Sequence, residues 1–187
     1  MPGLLFQMKS PRRAILFIDG SNFYHNTKET LGESLNIDFK KLANLICNKF
    51  NLELKQIIYY NSIPDISDDK DVYYKHMSFL DNLKKEGIVV KTRKLKKIKQ
   101  LNIKIEKGID VMIASDMIRE TLIKKECDVC ILISGDADFI PSMEIIKESG
   151  YEVIVSCPKI GFSNELRQGH FRYLVLKKED LLKCLKE

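Results

Sequence analysis

The chain lacks any run near the roughly 18 consecutive apolar residues that a membrane span needs. Its opening, Met1 to Arg13, carries its charges after its short apolar stretch, so no secretory signal is expected. It also lacks GxGxxG after its first apolar run and the Walker pattern GxxxxGK[ST], which disfavours a dinucleotide or P-loop site. No paired cysteine framework is present: the five cysteines, Cys47, Cys127, Cys130, Cys157 and Cys184, are odd in number and mostly lie in apolar stretches. Cys127 and Cys130 form one CxxC, but no second pair or nearby histidine completes a zinc site, so core packing is the simpler reading. A reducing, cytoplasmic setting is therefore expected.

The sequence does have the length for one substantial core, with 187 residues, 44% hydrophobic and 30% charged. Its net charge of +5 is mild but uneven. Lys84 to Lys107 is rich in lysine and poor in acids, which suits either a polyanion surface or a solvated hairpin.

Ala14 to Ile18 is apolar throughout and stops at Asp19-Gly20, the pattern of a buried strand followed by a tight turn. Asp38 N-caps a helix with Phe39, Leu42, Leu45, Ile46 and Phe50 on one face. Lys55 to Tyr60 reads as a strand, Asn61 to Asp71 as an acidic loop, Val72 to Glu86 as a helix closed by Gly87, and Ile88 to Val90 as a strand. Gly108 to Lys125 and Ile140 to Ser149 read as helices, and Val129 to Ile133 and Tyr151 to Ser156 as strands. Alternation of helices with nearly all-apolar strands implies a three-layer α/β/α fold with a mainly parallel sheet. The expected organisation is a tail (1–12), one domain (13–176) and a C-terminal helix (177–187) that packs or pairs, leaving a homodimer open.

Ligands of open α/β sheets sit beyond the carboxyl ends of the strands. There stand Asp19-Gly-Ser-Asn22 and Ser134-Gly-Asp-Ala-Asp138, with Lys107-Gly-Ile-Asp110 at a helix start. Each aspartate alone reads as a turn or cap residue. Together they would repel one another at pH 7 unless a divalent cation sat among them, and Mg2+ or Mn2+ favours such hard oxygen ligands beside a phosphate. Asp116 lies six residues beyond Asp110, about 240° around a helix, and so faces elsewhere. It reads as a weaker candidate that caps or solvates.

The segments FIDGSN, KGIDVMIASDM and ILISGDADFIPSMEIIKESGYEV resemble NYN domains, the LabA-like branch of the PIN-like nucleases, from about Arg13 to Tyr173. The resemblance implies a PIN-like, Rossmann-like fold. It also implies that Asp19, Asp110, Asp136 and Asp138 are the acids around a metal, with Asn22 positioning a water or phosphate and Ser134 orienting the turn. The implied activity is metal-dependent hydrolysis of RNA, single-stranded in this reading, by an activated water. Ser163 to Arg167 matches the family's late motif, but His170-Phe171 follows where many members have an aspartate. Lys107, Arg167 or His170 would then meet phosphate. Tyr24, Tyr59, Tyr60 and Tyr73 are stacking candidates whose bland reading is packing. An RNA-binding or regulatory module with weak or no activity competes with the nuclease reading, against which the retained aspartates argue. A phosphatase is disfavoured because Ser21 and Asn22 supply no DxD acid.

Overall fold

The computed structural model describes residues 10–32, 36–94, 96–98, 103–105 and 108–186. Among the described residues, eight strands and seven α-helices follow in chain order: β1 (Arg12–Asp19), α1 (Gly20–Leu31), α2 (Phe39–Phe50), β2 (Leu52–Ile63), α3 (Lys70–Lys85), β3 (Val89–Lys94), β4 (Lys96–Ile98), β5 (Ile103–Ile105), α4 (Ile109–Ile118), β6 (Val129–Ile133), α5 (Ile140–Glu148), β7 (Glu152–Pro158), α6 (Asn164–Gln168), β8 (Arg172–Leu176) and α7 (Lys178–Leu182). A π-helical turn, Arg119–Ile123, extends α4, and a 3-10 turn, Ala137–Phe139, leads into α5.

Six strands form one parallel sheet in the order β3-β2-β1-β6-β7-β8, while β4 and β5 pair separately as an antiparallel ribbon. Successive side chains of a strand point to opposite faces, and in β1 both sets are buried. Ala14, Leu16 and Ile18 pack with residues of α1, α2, α3 and α7, whereas Ile15 and Phe17 pack with residues of α4, α5 and α6. This two-sided burial is why the strands are apolar at nearly every position. It makes the three-layer α/β/α reading correct.

Several boundaries differ from the sequence reading. The turn expected after Asp19 is instead the first residue of a helix, with no loop between. The Asp19 carboxylate caps α1, its Oδ1 accepting from the Asn22 backbone N–H at 3.1 Å. α1 is polar, burying Gly20, Phe23, Thr27 and Leu31 along one narrow stripe, so its periodicity is weak. β2 runs on to Ile63, and Asp69 caps α3 through the Asp71 and Val72 N–H groups. β8, which the periodicity did not suggest, pairs with β7 at the sheet edge. Beyond it, α7 buries Leu181, and Leu185 bridges to Ile37.

Candidate functional site

The strand order decides where the site lies. From β1 the chain moves to β2 on one side, and later returns to β6 on the other, so β1 and β6 are neighbours with oppositely directed connections. Such a switch point opens a crevice at the carboxyl ends of the two strands. Asp19 ends β1, and Ser134, Gly135, Asp136 and Asp138 follow β6 directly.

A chain of hydrogen bonds joins these two ends. Ser134 Oγ donates to Asp19 Oδ2 at 3.2 Å and accepts from the Asp136 backbone N–H at 3.3 Å. Asn22 Oδ1 accepts from the Gly135 N–H at 3.1 Å and from Asn26 Nδ2 at 2.7 Å. Asp136 in turn caps the 3-10 turn, with its Oδ1 accepting from the Asp138 N–H at 3.0 Å. Asp19 is only 5% exposed, whereas Asp136 is half-buried and Asp138 open. One buried and two more accessible carboxylates thus lie at or just beyond the ends of β1 and β6.

Asp110 is exposed in the first turn of α4, whose start is at Gly108. α4 packs against β1, α5 and the 3-10 turn that carries Asp138. Among the described residues, no three acid, histidine or cysteine side chains gather at metal-ligand spacing. The linked set is thus Asp19, Asn22, Ser134, Asp136 and Asp138, with Asp110 on the neighbouring helix. Lys107 lies outside the described residues.

Asp116 neither caps nor solvates. It is 2% exposed and accepts from Tyr60 Oη at 2.9 Å, Lys91 Nζ at 2.7 Å and Arg119 at 2.9 Å. Burial first, and then the Asp116 charge and hydrogen bond, push the Tyr60 phenol far above its ordinary value. Lys91 and Tyr60 belong to the sheet, so this cluster fastens α4, and hence Asp110, to β2 and β3.

Arg167 is half-buried and is engaged in part by its own segment. One nitrogen donates to the Lys159 carbonyl at 2.6 Å and the group lies 5.6 Å from the Phe162 ring centre, holding the 159–162 turn. That turn is tied to the site through the Ser163 N–H, which donates to the Gly135 carbonyl at 3.1 Å. His170 is exposed, and its backbone carbonyl accepts from Lys147. Of the tyrosines, Tyr59 and Tyr60 are core residues and Tyr24 is 47% exposed.

Asn26 and Gly161 were not singled out from the sequence. A Cβ on Gly135 would meet the Gly161 carbonyl oxygen at 1.7 Å, and one on Gly161 would meet Asn26 Nδ2 at 1.9 Å. The site turn therefore needs glycine for backbone contact. The one available signal was Asn26 standing one helical turn after Asn22, on the same face of α1.

An NYN domain family model matches residues 13–176. The chain belongs to the NYN domain family, a PIN-like nuclease family whose chemistry is directed at RNA. It is 25% identical over 170 residues to the low amplitude and bright protein LabA of Synechococcus elongatus, a match covering 89% of this chain and 84% of that one. Its fold is similar to that of a Vibrio parahaemolyticus protein of unknown function, with TM-score 0.65, 19% identity, and 94% and 98% of the two chains covered. No helix among the described residues is long and apolar enough to cross a membrane.

Proposed function

We propose that the chain is a ribonuclease that hydrolyses phosphodiester bonds, in single-stranded RNA, at the crevice between β1 and β6. The observation that carries this reading is the Ser134 bridge, which sets the Asp19 carboxylate and the Asp136 backbone on one hydroxyl. Asp19, Asp110, Asp136 and Asp138 supply only carboxylate oxygens, the donor chemistry of Mg2+ or Mn2+. A cation of that kind keeps several waters and needs few direct ligands, so the half-open donor set fits it. When bound it would supply positive charge against the developing charge of phosphoryl transfer. Asn22, held by Gly135 and Asn26, orients a phosphate or water beside Asp19. Arg167 acts by holding the 159–162 turn under Gly135, and Lys107 is kept as a phosphate contact by its nearness to Asp110 in sequence. Five buried free thiols suit the cytoplasm.

Labelled single-stranded RNA incubated with magnesium or manganese tests this, with an Asp136→Asn variant and a chelator as controls. Cleavage lost in both controls supports hydrolysis at this site. A second reading, an RNA-binding module without turnover, is favoured by the absence of three gathered acid ligands among the described residues. RNA binding without cleavage in either metal would establish it.

A further inference from the structure

On the α1 and α3 side of the crevice lies a cavity of about 610 Å³ that the aspartate chemistry leaves unused. Gly20 and Ser21, the residues that follow Asp19, are among those that line it. Aromatic rings line it: Tyr24 is 47% exposed and Phe79 is half-buried, with the core ring of Tyr59 5.7 Å from Phe79, centre to centre. Lys28 and Lys75 also line it.

Two lining residues carry polar atoms that have no hydrogen-bond partner among the described residues. Thr27 is 4% exposed, and its Oγ1 has no hydrogen bond. His76 Nε2 is likewise buried and unbonded. Burial lowers the His76 pKa, with the Ser62 backbone opposing only in part, so the ring is neutral at pH 7 and has an acceptor nitrogen. Buried groups left unsatisfied are costly and rare. A purely apolar occupant would leave both as they are, whereas a flat heterocycle with polar edges meets the rings and the two atoms together.

We propose that this cavity is a nucleobase pocket, which takes one base of an RNA strand whose adjoining phosphate lies at the Asp19 end of the crevice. This rests on the reading of the chain as RNA-directed. Tyr24 and Phe79 offer stacking that any base accepts, while Thr27 and His76 read the N–H and carbonyl groups of its edge. The cavity's volume is large enough for a base with its ribose. The lining shares Gly20 and Ser21 with the start of α1 that Asp19 caps, which favours a base in a strand over a free nucleotide.

The test is equilibrium binding of labelled oligouridine carrying one adenosine, cytidine, guanosine or abasic site at successive positions. Calcium replaces magnesium, and gels verify that the RNA is intact. At one position the abasic site should weaken binding at least about fivefold. Thr27→Val, which keeps the shape and removes the orphaned hydroxyl, should erase most of that difference without lowering thermal stability. His76→Ala should do the same, with His76→Gln restoring part of it. With three histidines in the chain, the His76 Nε2 nitrogen resonance should also shift on adding RNA. Equal binding of abasic and intact strands, variants indistinguishable from wild type, or no RNA binding at all would overturn the proposal. So would adenosine monophosphate or guanosine monophosphate filling the pocket as tightly as the strand. Base-dependent binding without cleavage would sink the nuclease reading alone, and cleavage indifferent to the pocket variants would sink this one alone.

Discussion

The side-chain oxygen of Asn22 accepts the Gly135 backbone N–H at 3.1 Å, joining the start of α1 to the turn after β6. The same oxygen takes Asn26 Nδ2, so one side chain holds two segments more than a hundred residues apart. Asn22→Ala leaves the Gly135 N–H without its partner and should cost about 1–3 kcal/mol in urea unfolding. Asn22→Asp retains an acceptor oxygen and should unfold at nearer the wild-type midpoint. A larger loss for Asp than for Ala would show that the oxygen is not the holding group.

Gly135 and Gly161 differ in what a methyl would strike. At Gly135 it meets the Gly161 backbone oxygen, whereas at Gly161 it meets the end of the Asn26 side chain. Backbone cannot yield without moving the turn, but a side chain can rotate. Gly135→Ala should thus destabilise by about 1–3 kcal/mol, and Gly161→Ala by less. Thermal melts of the two variants compare them, and the reverse order would contradict this packing.

Much of this architecture was legible from residues alone. β6 matches its predicted span, because Val129 to Ile133 is buried on both faces and bounded by polar residues. The Asp38 cap of α2 was equally plain, since a short carboxylate before an amphipathic run has few other roles. α1 was not, because its buried stripe of Phe23, Thr27 and Leu31 is thin and its remaining surface is polar. Asp116 was misjudged for a different reason. Helical rotation placed it away from Asp110, but only the sheet order brings Lys91 and Tyr60 beneath it. Neither the Ser134 bridge nor the cavity beside Gly20 could be read beforehand, because each depends on segments far apart in sequence.

The Asp116 cluster makes a graded prediction. Asp116→Ala leaves Lys91, 29% exposed, and Arg119, 52% exposed, without their shared carboxylate. Breaking a buried pair costs roughly 3–5 kcal/mol, and partner exposure should hold this case near the lower end. Tyr60→Phe removes one hydrogen bond to a charged group, worth about 1.5–3 kcal/mol. Lys91→Met should cost less than Asp116→Ala, because Arg119 and Tyr60 still partner the carboxylate. Chemical denaturation ranks the three, and a harmless Asp116→Ala would mean that the cluster does not anchor α4.

Acid sensitivity should come from two carboxyls at the amino end of the sheet. Hydrogen bonds from the Arg13 side chain and backbone hold Asp128 below the usual carboxylate range. Burial alone would raise Glu152, but Arg12 and Arg172, both hydrogen-bonded to it, outweigh that and lower it. Groups whose folded pKa is depressed contribute stability that is complete above their unfolded values, about 3.9 for Asp and 4.3 for Glu, and that is lost as pH falls through the folded values. Asp128 and its partner Arg13 are both substantially open to solvent, so the share of this pair is screened. Glu152, with a side chain 20% exposed and two arginines, should carry more. Urea unfolding of wild type and Glu152→Gln between pH 7 and pH 3 measures this. The wild type should lose more stability than the variant over that interval, with the two curves converging at the acid end. Parallel curves would mean that the arginine pair does not bias the Glu152 proton, and that acid lability originates elsewhere in the fold.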